Sequence, residues 1–255
     1  MKQELRIKYI LKHLDKVESI SIQDIVEKFS VSEITARRDL STLEKRGMLV
    51  RTHGGAIKSE NTNGMFGFDK KSKQNRDNKI EICRFAASFI EDNDIIYMDC
   101  GTTVYYLSKF LTKFHNLRII TNSLPVVSEL LPFSNITVYL IGGELDNSRK
   151  ALYGLMTDNL IPRYKADKAF IGAGGVSLAH GLSSSDEKGA SVTVKMAEAA
   201  QKVFLLCDSS KIEKDSYFTY SSLSLISYLI TDKNIDPKLQ DMYKNNKINV
   251  VTSSL

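Results

Sequence analysis

Five short clusters in the last two thirds of the chain carry the residue types that hold a small polar ligand. They are Asp99-Cys100-Gly101-Thr102-Thr103, Thr121-Asn122-Ser123, Gly142-Gly143, Gly172-Ala173-Gly174-Gly175 and Asp208-Ser209-Ser210-Lys211. Gly101 lets a ligand approach the backbone, and Thr102 and Thr103 offer hydroxyls and N–H groups where a helix is expected to begin at Val104. A helix start of that kind attracts an anion. Lys211 supplies a cation, while Asp99, Asn122 and Asp208 can bond sugar hydroxyls. The chemistry is that of an anionic, hydroxylated ligand. Each cluster also admits a purely structural use: Gly101 can serve only its turn, Thr102 only a cap, and Lys211 only solvent.

A second constellation lies near the start, in Val31-Ser32-Glu33-Ile34-Thr35-Ala36-Arg37-Arg38-Asp39-Leu40. Ser32 can cap a helix whose apolar stripe is Ala36, Leu40 and Leu43. At about 100° per residue the opposite face presents Ile34, Arg37, Arg38, Ser41 and Lys45. Arg and Lys reach guanine edges or phosphates, Ser bonds either, and Ile touches a thymine methyl. Ser32 and Thr35 at the helix start, with Arg51 and His53 further on, complete the candidate DNA contacts. An ordinary solvated amphipathic helix would show the same alternation, so the neighbouring elements matter.

Those elements are legible. Ile7, Ile10, Leu11 and Leu14 trace one face of a first helix, and Ser21-Ile22-Gln23-Asp24 forms a capping box that opens a second through Ile25, Val26 and Phe29. A short turn separates Phe29 from Ser32, as in a helix-turn-helix, and Gly47 is placed to end the third helix. Residues 48–52 and 56–57 can pair as two strands around His53-Gly54-Gly55. Three helices and a hairpin make a winged helix-turn-helix over residues 1–57. A polar stretch with Met65, Phe66 and Phe68 in its middle reads as a linker over 58–78. From 79 to 255 short β-branched runs alternate with amphipathic stretches, which predicts a mostly parallel α/β sheet with strands at 95–99, 117–121, 136–141, 168–171, 202–206, 225–231 and 248–251. In such sheets ligands bind beyond the carboxyl ends of the strands, where the five clusters lie.

Composition fits. The 255 residues, 42% hydrophobic, suffice for two domains. Residues 1–58 hold twelve Lys and Arg against eight Asp and Glu, so +4 of the chain's +5 lies in the first segment, which suits phosphate contact. No apolar run approaches the roughly 20 residues that span a bilayer, and no signal peptide opens the chain, so a cytoplasmic protein without membrane contact is expected. Cys83, Cys100 and Cys207, with four scattered histidines, show no metal-ligand spacing, and no cofactor is implied.

The pattern Arg6-x3-Ile10-x3-Leu14, then Ser32-x2-Thr35-Ala36-Arg37-Arg38-Asp39-Leu40 and the wing Val50-Arg51-Thr52-His53-Gly54-Gly55-Ala56, resembles the signature of the DeoR family of bacterial transcription regulators. The motifs Asp99-x-Gly101-Thr102-Thr103, Thr121-Asn122, Gly142-Gly143 and Asp208-Ser209-Ser210-Lys211 are similar to those of the family's sensor domain. The resemblance implies a sensor similar in fold to ribose-5-phosphate isomerase that binds a phosphorylated sugar or related metabolite. It also implies a repressor of sugar-uptake or catabolism genes, bound to double-stranded operator DNA as a homodimer or homotetramer and released by the effector. Two departures from the family pattern are Lys71, where an Arg is common, and Ser191, where an acidic residue is common.

Two other readings compete. A sugar-phosphate isomerase-like enzyme would need a base beside the substrate carbon, for which Asp99 or Asp208 could be proposed. Yet the clusters contain no histidine or paired carboxylate, and a DNA-reading domain has no catalytic purpose. A winged helix used for protein contact would not need Arg37, Arg38 and Lys45 beside a basic wing. No catalytic residue is therefore assigned.

Overall fold

In the computed structural model, which describes residues 3–17, 19–45, 48–58 and 62–253, the apolar stripes of the first helices meet in one core. Helix α1 (Gln3–Val17) contributes Ile10 and Leu14, α2 (Ile22–Phe29) contributes Ile25, and α3 (Glu33–Lys45) contributes Ala36, Leu40 and Leu43. Strand β1 (Ser19–Ser21) precedes α2; β2 (Leu49–Thr52) and β3 (Gly55–Lys58) follow α3. They form an antiparallel sheet in the order β1-β3-β2. Ser21 caps α2 and Asp24 completes the capping box, as the spacing predicts. Strand β1 is an addition to the sequence reading, because three residues are too few for periodicity to show. Gly47 lies outside the described residues.

This unit also holds a buried ion pair. Arg6 Nε donates to Asp39 Oδ2 at 2.6 Å with both side chains buried, and Gln3 Nε2 adds a bond to Oδ1 at 3.0 Å. Arg6 and Asp39, residues of the family-like signature, thus clamp α1 to α3.

The chain divides into the units Met1–Gly67 and Phe68–Leu255, and the division falls inside α4 (Thr62–Lys73). The linker expected over 58–78 is corrected accordingly. Residues 62–73 are helical, and Phe68 onward belongs to the second unit. The cause is Phe68, buried edge-on against Tyr105 with ring centroids 5.4 Å apart, while its N–H donates to the Ser148 carbonyl at 3.0 Å.

The second unit is built on seven parallel strands. These are β4 (Ile95–Met98), β5 (Leu117–Thr121), β6 (Ile136–Leu140), β9 (Ala166–Ile171), β12 (Ala200–Leu206), β14 (Tyr228–Thr231) and β15 (Val250–Thr252). Their order is β15-β14-β12-β9-β4-β5-β6, and every neighbouring pair is parallel. A hairpin, β7 (Glu144–Asp146) with β8 (Ala151–Tyr153), follows β6. A small antiparallel sheet joins β10 (Gly175–Ser177), β11 (Gly181–Ser184) and β13 (Phe218–Ser221).

Side chains alternate between two cores, one on each face of the large sheet. Ile96 and Met98 point into a core with α5 (Arg76–Ala86), α6 (Val104–Leu107) and α7 (Leu124–Leu130). Tyr97 points into the other, with α8 (Leu155–Leu160) capped by Ile161, α9 (Glu187–Glu198) and α10 (Pro237–Asn245). After β4 the chain winds outward through β5 and β6, then returns to the other side of β4 and winds through β9, β12, β14 and β15. The reversal between β4 and β9 is the point where an open α/β sheet leaves a crevice. Among the described residues no helix is long and apolar enough to cross a membrane.

Candidate functional site

The reversal brings Asp99-Cys100-Gly101-Thr102-Thr103, after β4, beside Gly172-Ala173-Gly174, after β9. Asp99 stitches them together. Its Oδ1 accepts the Gly101 N–H and its Oδ2 the Gly172 N–H, both at 2.7 Å, with Thr193 Oγ1 of α9 at 3.4 Å. A side chain at Gly101 would meet Asp99 Oδ1 at 2.8 Å, so this turn needs glycine. Burial raises the Asp99 carboxyl above the ordinary carboxylate range, and the two glycine N–H groups oppose that rise. A carboxylate so engaged holds the floor of the crevice.

Cations gather above that floor. Lys79 of α5 is 3% exposed; its Nζ donates to the Lys71 carbonyl at the end of α4 and to Thr102 Oγ1 at 3.2 Å. Burial first, then repulsion by Lys211, brings Lys79 from its ordinary 10.5 down to about 8, against the pull of Asp208. Lys71 is also lowered, by burial and then by Arg149 and Lys211. Lys211 Nζ bonds the Ala173 carbonyl at 3.0 Å and lies 3.9 Å from Asp208 Oδ2. Arg149 Nε lies 3.0 Å from Asp186 Oδ2 at the start of α9. Lys71, Lys79 and Lys211 thus lie near enough to repel one another, and Arg149 near enough to repel Lys71.

The remaining candidates fall into two groups. Asp208 is buried, accepts from Asn75 Nδ2 at 3.0 Å and from Ser210 Oγ, and its Oδ2 has no hydrogen-bond partner among the described residues. Asn122 is fully buried; its Nδ2 donates to the Leu152 carbonyl at 3.0 Å while Oδ1 has no hydrogen-bond partner among the described residues. Gly142 faces open space, and its carbonyl accepts from Thr157 Oγ1 at 2.7 Å; a side chain at Gly143 would meet that hydroxyl at 2.3 Å. Thr103 and Thr121 are buried in internal roles. The Thr103 carbonyl accepts from Cys83 Sγ at 3.1 Å, and Thr121 Oγ1 accepts the Ser123 N–H at 3.1 Å.

Helix α6 does begin at Val104, but it is a single turn continued by a 3-10 turn at Ser108–Phe110. Its dipole is correspondingly small, so the positive charge beside this turn comes from side-chain cations and not from the helix. Lys79, Arg149 and Asn75 escaped the sequence reading, because a lysine within a helix and an arginine in a loop look solvated until the sheet places them. Ser191 is exposed, and the side chain of α9 that reaches Asp99 is Thr193.

In the first unit, α3 turns Ile34, Arg37 and Arg38 outward; Ile34 is 79% exposed. Lys45 is exposed and Ser41 half-buried along the same helix. Ser32 Oγ accepts the Thr35 N–H at 3.3 Å and meets Thr35 Oγ1 at 3.0 Å, so both cap the helix. Arg37 lies 3.5 Å from Glu33, one turn back, with both side chains open to solvent. His53 is exposed in the β2–β3 turn, and Arg51 is half-buried in β2.

Residues 6–62 match the DeoR-like helix-turn-helix domain and residues 74–233 the DeoR C terminal sensor domain. The chain is 34% identical over 253 residues to the HTH-type transcriptional repressor GlcR of Bacillus subtilis, covering 99% of this chain and 97% of that one. It is 35% identical over 250 residues to a lactose phosphotransferase system repressor of Staphylococcus epidermidis, covering 95% of each. Among solved structures, a ribose 5-phosphate isomerase of Methanocaldococcus jannaschii is similar over 54% of this chain and 55% of its own, at 17% identity and a TM-score of 0.41. With both parts of the family pattern in place along a full-length match, this chain belongs to the DeoR family of DNA-binding transcriptional regulators.

Proposed function

We propose that the chain represses genes of sugar uptake or catabolism in the cytoplasm and is released from its operator by a phosphorylated sugar bound between β4 and β9. The observation that carries this reading is the meeting of Lys79 and Lys211 beside Thr102, Ala173 and Asp208, with the more exposed Lys71 close by, where burial and then repulsion by Lys211 lower Lys79. A phosphate there relieves the repulsion by charge-assisted hydrogen bonds. Lys79, Thr102 and Lys211 form its cradle, with Gly101 opening the approach. Asn122 Oδ1 and Asp208 Oδ2, both buried without a hydrogen-bond partner, are the acceptors for hydroxyls. The relatives named as repressors, one of them for lactose transport, support the biological side. No enzymatic role is assigned. Asp99, the carboxylate at the centre, has both oxygens engaged within the protein and none poised beside a substrate carbon.

DNA is read by α3 through Arg37, Arg38, Ser41, Lys45 and Ile34, with Arg51 and His53 of the wing beside the backbone. The two activities are linked through α4. Its last turn supplies the Lys71 carbonyl to Lys79 and the Ser72 carbonyl to Tyr106 Oη at 3.1 Å, so a ligand that pulls on Lys79 also pulls on this helix. A coupling of about 1–3 kcal/mol changes operator occupancy about 5- to 150-fold.

The test is a thermal-shift series with sugar phosphates, followed by operator gel shifts, on the wild type, Thr102→Val and Lys211→Ala. The expected result is a ligand that stabilises the wild type by about 2.7 kcal/mol at 100 times its dissociation constant and weakens operator binding. Both variants bind operator normally and respond only at higher ligand concentration. If both respond at wild-type concentrations, the phosphate lies elsewhere.

A further inference from the structure

The large sheet has two open edges, and they are finished differently. At β15, Val250 and Thr252 are buried. At the other end, among the described residues, β6 bonds to β5 alone, and the run from Ile136 through Gly143 contains no charged residue and no proline. Strand edges in proteins that stay apart are ordinarily guarded by a lysine, a proline or a bulge, because an unguarded edge pairs with any other. The surroundings of β6 are apolar too. Among the described residues of the second unit, eight of the ten large hydrophobic side chains left exposed fall between residues 131 and 164. Leu155, Leu131 and Met156 are the most open, at 80%, 78% and 66%.

Tyr139 and Leu140 belong to β6 itself, and the other six lie on the segments that directly precede and follow it. Tyr139 of β6 meets Tyr164 with ring centroids 6.0 Å apart, and Thr157 of α8 bonds the Gly142 carbonyl just beyond the strand. At roughly 200 Å² for a large apolar side chain fully exposed, the eight together present on the order of 800 Å². That is about what one partner brings to a stable protein–protein interface.

We propose that this surface is covered by the same surface of a second copy of the chain, the two β6 strands meeting antiparallel about a twofold axis. An edge that carries no guard is complementary to itself, and a twofold pairing satisfies both edges in one step and closes. The product is one continuous sheet that ends at β15 on both sides. A different protein as occupant would leave the edge bare, and prone to self-pairing, whenever that protein was absent. Twofold symmetry also suits a regulator whose winged unit reads one half-site, since paired half-sites then mirror the dimer.

Sedimentation of the full-length chain tests this independently of any effector. The wild type is expected to be dimeric, or a tetramer built from such dimers, at micromolar concentration. Tyr139→Glu combined with Leu155→Glu places like charges across the axis on side chains that are already exposed. It should raise the dimer dissociation constant by about a hundredfold or more, with the far-UV circular dichroism of the folded chain unchanged and the unfolding midpoint no longer rising with protein concentration. As a second variant, Thr137→Cys on the same strand should give a covalent dimer with a short bifunctional maleimide, whereas Lys244→Cys on α10 should not. A monomeric wild type, a charged variant that dimerises as the wild type does, or cross-linking at 244 and not at 137 would each overturn the proposal.

Discussion

Lys79 is the side chain most at odds with its surroundings, and replacing it by methionine yields a prediction with a sign that changes with pH. The fall from 10.5 to about 8 corresponds to on the order of 3 kcal/mol, at 1.36 kcal/mol per pH unit, for keeping the ammonium charged in the fold. Below pH 8 both folded and unfolded chains carry the proton and this cost is felt in full. Between about 8 and 10.5 the unfolded chain holds a proton that the folded one has released, so the Lys79 contribution makes stability rise with pH. Lys79→Met removes the charge but forfeits the bonds to the Lys71 carbonyl and Thr102 Oγ1, worth about 1 kcal/mol each. The variant should therefore be about 1 kcal/mol more stable than wild type at pH 7 and about 2 kcal/mol less stable near pH 10.5. Urea unfolding of both proteins across this range gives the difference directly, and the cysteine and tyrosine contributions common to both cancel in it. A difference that stays constant with pH would refute the desolvated ammonium. An anion in the crevice restores the proton, so phosphate binding near pH 8 should be accompanied by proton uptake in the wild type and not in the variant.

Three further outcomes follow from the geometry. Asp39→Ala removes the carboxylate from the buried Arg6 guanidinium and should destabilise the first unit by about 3–5 kcal/mol, lowering its calorimetric transition and leaving that of the second unit in place. Arg38→Ala should weaken operator binding by about 1–3 kcal/mol at one base position, or uniformly with a salt slope lower by about one if the contact is to phosphate; unchanged binding at physiological salt removes Arg38 from the interface. Phe68→Ala takes away the ring that pins the end of α4 between Tyr105 and Lys150. It should leave operator and effector affinities each within a few fold while reducing the effect of one on the other, and full retention of that effect would move the coupling to another element.

The backbone plan was readable because the strands of the large sheet are short apolar runs, several of them ending in a glycine or hydroxyl cluster, and all seven expected strands occur within a few residues of their places. The winged unit was readable for a similar reason, since its helices carry both caps and stripes. What escaped were strands of three and four residues such as β1, β10 and β11, too short for alternation to register, and the helix at 62–73. There the polar composition argued for a linker, while burial of the single ring of Phe68 ties its end to the second unit. At the candidate site, Gly101, Thr102, Asp208 and Lys211 were singled out in the sequence, whereas Lys79 and Arg149, which stand near them, were not. Asp99 looks like a ligand residue in one dimension and is an internal brace in three, because its partners Gly172 and Thr193 lie 73 and 94 residues away. Lys79 looks like a surface lysine until α5 is packed against the sheet.

The last turn of α4 also constrains how such regulators exchange parts. The sensor pattern begins at residue 74, yet the ring at 68 and the carbonyls at 71 and 72 already pack on or bond to the second unit, at Tyr105, Lys79 and Tyr106. A reading head transplanted from a relative at residue 74 would bring a foreign helix end against Tyr105 and Tyr106 and leave Lys79 facing a different acceptor. The hybrid would recognise its operator and be deaf to its signal. Junctions that preserve the response lie upstream of Phe68, so in any working chimera this turn travels with the receiver and not with the reader.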